Sequence, residues 1–229
     1  MKLVIISDIH GNYDAWSALP EEYDELWVLG DLVNYGPQPK EVFEEVTQKA
    51  SLIVRGNHDH AVGHEDDWKW SSRYRPIAEA TRRYTSSVLN DEQKAYLRNL
   101  PLKLEVERKG VRFNLTHGTP SDPLYGRLPP DADEWVAEIE NLSADVVLVG
   151  HTHIPFIRNI DDKILLNPGS LGQPRGGGAL ARYAVWQDGR FELRSFPYPV
   201  DTTVKKLKAL VFPPHVETDL VCILRAGSA

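Results

Sequence analysis

The chain has 229 residues, of which 41% are hydrophobic and 26% are charged, and its formal net charge is -7. This balance is typical of a folded globular protein that can bury a core, and it excludes disordered and fibrous classes. The negative charge also argues against partners that need a positive field, namely long nucleic acid and anionic membranes.

Three short apolar runs in the first sixty residues predict buried strands. They read KLVIISD, DELWVLGD and ASLIVRGN, and each is rich in branched or aromatic side chains. Residues 13–19 and 39–49 lie between them, and Val42, Phe43 and Val46 are spaced as one face of a helix. This alternation of strand and helix predicts a parallel sheet.

The middle of the chain predicts a helical insertion that follows the third strand. Residues from about 61 to 100 are polar and helical in pattern, with Asn90 and Gln93 as a helix cap and its partner, and with Pro101 at the end. We expect this segment to flank the sheet as part of one domain that spans residues 1–229. A further short helix is predicted over residues 133–142.

The second half predicts a second sheet that packs on the first, because its apolar runs include antiparallel hairpins. One hairpin turns at Lys109 and Gly110, and another at Asp188 and Gly189. Buried strands are also predicted in DVVLVG and KILLN.

The tail from Thr202 is predicted to be helical. Its apolar side chains recur on one face, namely Val216, Leu220, Ile223 and Leu224. The single cysteine, Cys222, excludes an internal disulfide and is predicted to pack in the core. No apolar run approaches the roughly 20 residues that cross a bilayer, and the pattern of a signal peptide is missing, so a cytoplasmic location is expected.

Imidazole, carboxylate and amide groups follow the ends of the predicted strands. They belong to Asp8, His10, Asp31, Asn57, His58, Asp59, His117, His151 and His153. In open α/β sheets, ligands bind beyond the carboxyl ends of the strands, so these side chains are expected to converge. A donor set without thiolate suits divalent metals of borderline or hard character.

These donors are too many for one ion, and two ions about 3.5–4 Å apart would use them. One ion would be bound by Asp8, His10 and His153, the other by Asn57, His117 and His151, and Asp31 would bridge the two. The formal charges of two divalent ions, two aspartates and a bridging hydroxide sum to about +1, so the site would attract anions.

The order of motifs resembles the calcineurin-like metallophosphoesterase superfamily. DIH, GD, GNHD, a histidine before glycine and GHTH follow one another from Asp8 onward, and NPGSLGQPR resembles the bacterial and archaeal predicted-phosphodiesterase branch. The resemblance implies a four-layer αββα sandwich of two mixed sheets flanked by helices. It also implies a metal-bridging hydroxide as nucleophile, His58 as the general acid, and Asp59 as the residue that orients the ring of His58.

Substrate contacts are predicted for Asn57 and for Arg175, whose planar guanidinium suits phosphate oxygens. A salt bridge is the alternative role of Arg175. Aromatic residues of the insertion and of a later loop would either wall a base-binding cleft or pack internally; they are Trp68, Trp70, Tyr74 and Tyr125. Gly176 to Gly178, which follow Arg175, suggest a flexible loop.

The expected activity is hydrolysis of small phosphate esters, with a phosphodiesterase as the leading hypothesis. Serine/threonine phosphatases of the superfamily carry an arginine after the bridging aspartate, whereas this chain has GDLVNYGP with Tyr35 at that position. The alternatives are a nucleotide phosphatase or other phosphomonoesterase, a nuclease for short nucleic acid, and a scaffold without turnover. Manganese is the first expectation for the two metals, and iron, nickel, cobalt or zinc also suit these ligands. The oligomeric state is left open.

Overall fold

The computed structural model describes residues 1–66, 72–176 and 178–227, which contain ten strands in two sheets. The strands are β1 Lys2–Ile6, β2 Glu25–Val28, β3 Leu52–Ile53, β4 Lys103–Arg108, β5 Val111–Thr116, β6 Val146–Leu148, β7 Phe156–Ile160, β8 Lys163–Asn167, β9 Leu180–Gln187 and β10 Arg190–Pro197. The first sheet has the order β10-β9-β1-β2-β3, and the second has the order β4-β5-β6-β8-β7. Both sheets are mixed: β1, β2 and β3 are parallel in one and β5, β6 and β8 in the other, whereas β9 and β10 in the first sheet and β4 and β7 in the second pair antiparallel with their neighbours.

Helices connect the strands and cover the outer faces of the sheets. Those within the described residues are α1 Tyr13–Ser17, α2 Pro39–Lys49, α3 Asn57–His64, α4 Arg75–Val88, α5 Asp91–Asn99, α6 Trp135–Ile139, α7 Val200–Lys208 and α8 Pro214–Ala226. The helices α1 and α2 are the crossovers between parallel strands, as predicted. None of the helices in the described ranges is long and apolar enough to cross a membrane.

Alternating side chains of β1 show how the layers pack. Leu3 and Ile5 face the second sheet and join a core that includes Phe113 and Leu148 of that sheet. Their neighbours Val4 and Ile6 face the opposite way, into a core shared with α1 and α2. A third cluster packs α6 on the outer face of the second sheet. The four-layer sandwich of two mixed sheets flanked by helices is therefore confirmed.

The helical insertion after β3 consists of α3, α4 and α5. The predicted cap of α5 is confirmed, because the Asn90 side chain accepts from the backbone N–H of Gln93 at 2.8 Å and the Gln93 side chain accepts from the N–H of Asn90 at 3.0 Å. The helix α3 begins at Asn57, shortly after β3 ends at Ile53. A predicted metal ligand thus lies at the first turn of the insertion.

The second half of the structure differs from the sequence prediction in three respects. The strand β7 has no counterpart in the sequence prediction, and α6 is shorter than the predicted segment. The hairpin of β9 and β10 joins the first sheet, because β9 pairs antiparallel with β1. A local pattern marks a strand but not its distant partner, so this choice of sheet was not visible in the sequence.

The prediction that Cys222 packs in the core is wrong, because its side chain is exposed. The apolar face of α8 is buried as predicted, and it includes Val216, Leu220 and Ile223. Residues of an α-helix are about 100° apart around the axis, so Cys222 lies outside that face. Helical position here outweighs the general preference of cysteine for burial.

Candidate metal centre

The strand ends of both sheets meet at one edge of the molecule. Asp8 and His10 follow β1, Asp31 follows β2, and His151 and His153 follow β6. Each of these five residues has a left-handed backbone, with φ between 49° and 64°. Asp and His tolerate this region better than branched residues, yet it still carries strain, and such residues cluster at functional sites. The chain therefore turns sharply where each of these predicted ligands lies.

The first predicted set of ligands is close together in the structure. One oxygen of Asp8, Oδ1, lies 3.8 Å from Nε2 of His10 and 3.2 Å from Nε2 of His153. The other oxygen of Asp8 accepts from the backbone N–H of His151 at 3.2 Å. This bond holds the carboxylate with Oδ1 toward the two imidazoles, and Asp8, His10 and His153 form a group with metal-binding spacing.

The second predicted set also comes together. Asp31, His117 and His151 form a group with metal-binding spacing. The Oδ1 atom of Asn57 lies 3.0 Å from Nε2 of His117, which adds an amide oxygen to the group. The structure thus brings together all seven residues that the sequence analysis named as ligands.

Asp31 lies between the two sets. Its Oδ2 atom is 3.2 Å from Nε2 of His117 and 3.7 Å from Nε2 of His10. Its Oδ1 atom accepts from the backbone N–H of His58 at 2.8 Å. A Cβ at Gly56 would collide with this carboxylate, so the glycine of the GNHD motif makes room for it. One carboxylate is therefore shared by groups that belong to different sheets.

The imidazole rings are oriented by backbone carbonyls. Nδ1 of His10 faces the carbonyl of Val33 at 3.2 Å, and Nδ1 of His153 faces the carbonyl of Gln173 at 2.7 Å. A carbonyl only accepts, so each Nδ1 carries the proton and each Nε2 presents a lone pair. The two Nε2 atoms nevertheless lie 3.2 Å apart. This arrangement repels unless a cation or an added proton lies between the rings.

One oxygen of Asp8 has no hydrogen-bond partner, and this also indicates a metal-binding site. Its Oδ1 atom is fully buried and accepts no hydrogen bond, although a buried carboxylate oxygen normally has a donor. It faces the lone pairs of two imidazoles instead. A buried carboxylate oxygen and two imidazole nitrogens directed at one point suit a divalent cation. The residues present therefore fit the predicted metal pair.

The electrostatics of the centre point the same way. Burial lowers the pKa of the His117 imidazole, but the Asp31 carboxylate outweighs burial and raises this pKa to about 9. Burial raises the pKa of Asp31, yet the imidazoles around it, His117 first, hold it well below its ordinary value. Burial also lowers the pKa of His10 well below its usual range. The negative charge of Asp31 thus attracts a cation. A bound metal ion would be that cation in place of a proton on an imidazole.

The prediction that Asp59 orients the ring of His58 is wrong. Its two oxygens accept from the backbone N–H groups of Asp31, Leu32 and Gly56, at 2.8, 2.9 and 3.1 Å. Burial, followed by repulsion from Asp31, raises the pKa of Asp59 to about 7. The carboxylate of Asp59 thus connects the loop after β2 to the start of α3. Because it accepts hydrogen bonds from these backbone N–H groups, it does not contact the ring of His58.

The ring of His58 contacts Asn34 instead. The amide nitrogen of Asn34 lies 3.0 Å from Nδ1 of His58, and the ring of Tyr35 packs against the same imidazole with centroids 4.5 Å apart. Burial lowers the pKa of His58 to about 4. The side chain lines the cavity over the metal-binding groups. Sequence reasoning missed Asn34, although its motif, GDLVNYGP, was singled out for Tyr35.

A cavity of about 200 Å³ opens over the predicted ligands. Besides predicted site residues, its lining includes Tyr35, Tyr74, Tyr125, Arg127 and Arg175. Tyr74 and Tyr125 thus line the cavity, while Trp68 and Trp70 lie outside the described residues. Arg175 stacks on Tyr74, with its guanidinium 5.1 Å from the ring centre, and no acidic side chain in the described ranges pairs with it. The predicted alternative of a salt bridge therefore finds no support.

Arg127, which lies in the loop after the THG motif, was not identified from the sequence. Its Nη2 atom donates to the backbone carbonyl of His151 at 3.4 Å, which brings it beside a predicted ligand. Nothing in the local pattern of that loop distinguishes an arginine that faces a cavity from one on the surface.

Known proteins resemble this chain over most of its length. An uncharacterized protein of Methanocaldococcus jannaschii is 31% identical over 228 residues, which cover 90% of this chain and 91% of the relative. Phosphodiesterase YfcE of Escherichia coli is 29% identical over 196 residues, which cover 77% of this chain and 83% of the relative. The crystal structure of a metallophosphoesterase from Sphaerobacter thermophilus superposes with a TM-score of 0.81 at 28% identity, and the match covers 96% of this chain and 98% of that chain.

The superfamily assignment follows from a match that is longer than any single motif. Residues 1–187 match the calcineurin-like phosphoesterase superfamily domain. This range contains the two sets of metal-binding residues and both sheets except the hairpin strand β10. The chain belongs to the calcineurin-like phosphoesterase superfamily.

Proposed function

We propose that this protein hydrolyses phosphate esters at a two-metal centre and that phosphodiesters are its preferred substrates. The observation that carries the proposal is the position of Asp31, whose Oδ2 atom lies between an imidazole of each metal-binding group. Such sharing suits a pair of ions rather than one ion. When bound, the ions would supply an activated water as nucleophile and would stabilise the charge of the phosphoryl group.

Each residue of the site then has a defined task. Asp8, His10 and His153 would hold one ion, Asn57, His117 and His151 would hold the other, and Asp31 would bridge them. Backbone carbonyls keep Nε2 of His10 and His153 free of hydrogen, as ligation requires. The Asn57 side chain also lines the cavity, where a substrate oxygen would lie.

His58 is proposed as the general acid. Because the Asn34 amide donates to Nδ1, the proton of the neutral ring is on Nε2. The ring lines the same cavity as Asp31 and His151, so it lies beside the place where the ester bond breaks. To act as the acid, the ring would take a second proton and become imidazolium, and it would return to the neutral form when Nε2 gives its proton to the leaving oxygen; Asn34 would keep the ring in orientation.

The preference for diesters has two supports. Tyr35 occupies the position of the phosphate-binding arginine found in serine/threonine phosphatases, and its ring packs on His10 with centroids 4.8 Å apart. The relative named phosphodiesterase YfcE carries an activity of the proposed class. The alternative is a nucleotide phosphatase or other phosphomonoesterase, which the tyrosines around the cavity would also suit.

A scaffold role without turnover is disfavoured by the residues themselves. A scaffold that binds metals without turnover has no need of a general acid, yet His58 lines the cavity over the metal-binding groups. Manganese stays the first expectation among the divalent metals that nitrogen and oxygen donors admit. The cytoplasmic location and the single-domain organisation stay predictions.

The test is hydrolysis of bis-p-nitrophenyl phosphate and p-nitrophenyl phosphate by metal-stripped protein, with each divalent metal added back in turn. We expect turnover only after metal addition, with two ions bound per chain and a higher kcat/KM for the diester. A preference for the monoester would assign a phosphomonoesterase. If two ions bind but neither ester is hydrolysed with any metal, the scaffold role replaces the proposed activity.

A further inference from the structure

Two arginines face the cavity without a carboxylate partner. Arg127 and Arg175 line its wall, and no ion pair joins either of them to an acidic side chain within the described parts of the chain. The Arg127 guanidinium contacts a carbonyl at 3.4 Å, and the Arg175 guanidinium contacts the face of Tyr74. Both contacts leave most of the five donors of each guanidinium available to a ligand.

The charge of this wall is unusual for an acidic protein. Partial burial, and then the nearby Arg175, lowers the pKa of Arg127, as expected for two cations that share one space. The carboxylate that lines the cavity is Asp31, and it is already bound by the backbone N–H of His58 and faces His117. It is therefore not free to neutralise the arginines. In a chain of net charge -7, a local pair of unneutralised cations points to an anionic ligand.

A count of charges indicates how negative that ligand is. The filled metal centre would contribute a formal charge of about +1, and the two arginines raise the total to about +3. A simple phosphodiester carries about one negative charge at neutral pH, so it would leave the wall with an excess of about two positive charges. Electrostatic complementarity therefore favours a substrate with additional negative charge.

Exposure separates the arginines from most of the predicted metal ligands, although His151 is half-buried like Arg175. Asp8, Asp31 and His117 are at most 1% exposed, whereas Arg175 is half-buried and Arg127 is exposed. The phosphoryl group that reacts must approach the buried donors, so the arginines lie farther out along the same cavity. They are placed to bind a group that projects from the reacting phosphate toward solvent.

The cavity volume of about 200 Å³ is below the roughly 300–1,000 Å³ typical of sites that enclose a drug-sized ligand. A substrate of nucleotide size would therefore extend past the arginines. Their planar donors match phosphate oxygens in pairs, which a hydroxyl or a base would not require.

We infer that Arg127 and Arg175 form a second anion subsite, which binds a further, non-scissile phosphate group of the substrate. The inference rests on the proposed function, and it narrows the substrate class to phosphate esters that carry two phosphate groups. It also gives Arg127 a role in specificity, next to the metal-binding groups and separate from them.

A binding experiment tests the subsite without turnover. The affinities of thymidine 3′,5′-bisphosphate and thymidine 5′-monophosphate for manganese-loaded protein are measured by titration calorimetry. The expected result is that the bisphosphate binds roughly 10- to 100-fold more tightly, since charge-assisted bonds of this kind contribute that much. In the variant with both Arg127→Gln and Arg175→Gln the two nucleotides should bind with similar affinity.

Matched variants separate the subsite from general electrostatics. Arg83→Gln removes the same charge from α4, where the side chain is 73% exposed and 4.0 Å from Glu79, and it should keep the preference for the bisphosphate. Arg127→Lys together with Arg175→Lys keeps the charge but loses the planar donors, so the preference should be intermediate. Melting temperatures and metal contents of all variants are compared with those of the wild type.

A kinetic experiment links the subsite to activity. Hydrolysis of the p-nitrophenyl ester of thymidine 5′-phosphate is compared with that of the same ester carrying a 3′-phosphate. The double glutamine variant should raise KM for the ester with the 3′-phosphate about tenfold or more. It should change KM for the ester without the 3′-phosphate by less than about threefold.

Two results would overturn the inference. Equal binding of mono- and bisphosphate to the wild type would exclude a second subsite, whether or not the protein turns over any ester. An equal loss for both nucleotides in the double glutamine variant would show that the arginines bind the scissile phosphate instead. Absence of turnover together with preferential binding of the bisphosphate would contradict only the proposed function and leave the subsite intact.

Discussion

The inner and outer halves of the cavity are built in different ways. In the inner half, His10, His117 and His153 each direct Nδ1 at a backbone carbonyl, at 3.2, 2.7 and 2.7 Å. In the outer half, Arg127 and Arg175 have a long hydrogen bond and a stacking contact. Backbone carbonyls near the strand ends thus orient the predicted metal ligands, while Arg127 and Arg175 belong to loops. Under the proposed function, chemistry and specificity would be separated along one cavity.

Backbone strain is concentrated in the inner half. Five of the seven predicted ligands have positive φ, which costs on the order of 1–3 kcal/mol for each such residue. Hydrogen bonds between neighbouring loops offset this cost; for example, the N–H of Asp8 donates to the carbonyl of Gly30 at 3.0 Å and that of His10 to the carbonyl of Asp31 at 2.9 Å. The largest effects of substitution are therefore expected in the inner half.

Asp31→Ala should have the largest effect, because both metal-binding groups share this carboxylate. We expect both ions to be lost together and the rate to fall by about 10³-fold or more, since several kcal/mol of charge stabilisation disappear. Metal content per chain, measured by mass spectrometry, checks the result. Asp201→Ala on α7, whose side chain is 89% exposed, is the control. Retention of one ion at full occupancy would refute the bridging role.

His58→Ala should be the next most severe change, and it should act on rate alone. Loss of a general acid lowers kcat by roughly 10²–10⁴-fold, while both ions remain bound because His58 is not among the proposed ligands. The measurement pairs steady-state kinetics with metal analysis, and the exposed His215→Ala serves as the control. Unchanged turnover, or a loss of metal, would remove His58 from this role.

Two variants distinguish the contact of Asn34 with the ring of His58 from the contacts of Asp59 with backbone N–H groups. They are Asn34→Ala and Asp59→Asn. The first removes the amide from Nδ1 of His58 and should lower kcat about 10- to 100-fold, with little further loss in a His58→Ala background. The second weakens bonds to three backbone N–H groups, so the melting temperature should fall by about 3–12 °C. Thermal denaturation and kinetics of both variants check this. A kcat effect that is larger for Asp59→Asn than for Asn34→Ala would restore Asp59 as the orienting residue.

Tyr74→Ala in the outer half should have the smallest effect. It removes the ring beneath Arg175, and a cation–π contact at such a site contributes about 0.5–1 kcal/mol, or roughly two- to fivefold in affinity. Tyr74→Phe keeps the ring and should match the wild type. The measured quantity is KM for the ester that carries two phosphates. A loss of activity in Tyr74→Ala as large as that in His58→Ala would contradict the different roles assigned to the two halves of the cavity.

Sequence reasoning succeeded where local pattern and chemistry coincide. The run DVVLVG ends at Gly150 and is followed at once by His151 and His153, so the strand end and the donors are recognised together. The same holds for Asp8 and His10 after β1. Parallel strands deliver their carboxyl ends to one edge, and this general property is enough to group donors from both halves of the chain by sequence alone.

It failed where a contact depends on the path of a loop. Arg127 reaches the carbonyl of His151, and Asn34 reaches the ring of His58, but neither contact follows from periodicity. Asp59 stands next to His58 in the chain, yet its carboxylate turns to the backbone of the loop after β2. Adjacency in sequence was here a poor guide to contact, because consecutive residues of a helix point about 100° apart.

The sequence by itself determined the strand-and-helix alternation, the superfamily and the set of donors, since these depend on residue type and short-range spacing. Tertiary structure alone decided that β9 pairs with β1, that Cys222 is exposed, and which arginines face the cavity. The physical reason is that pairing and loop position are chosen by the free energy of the whole packed chain. Contacts between distant segments contribute to that energy without leaving a pattern in either segment.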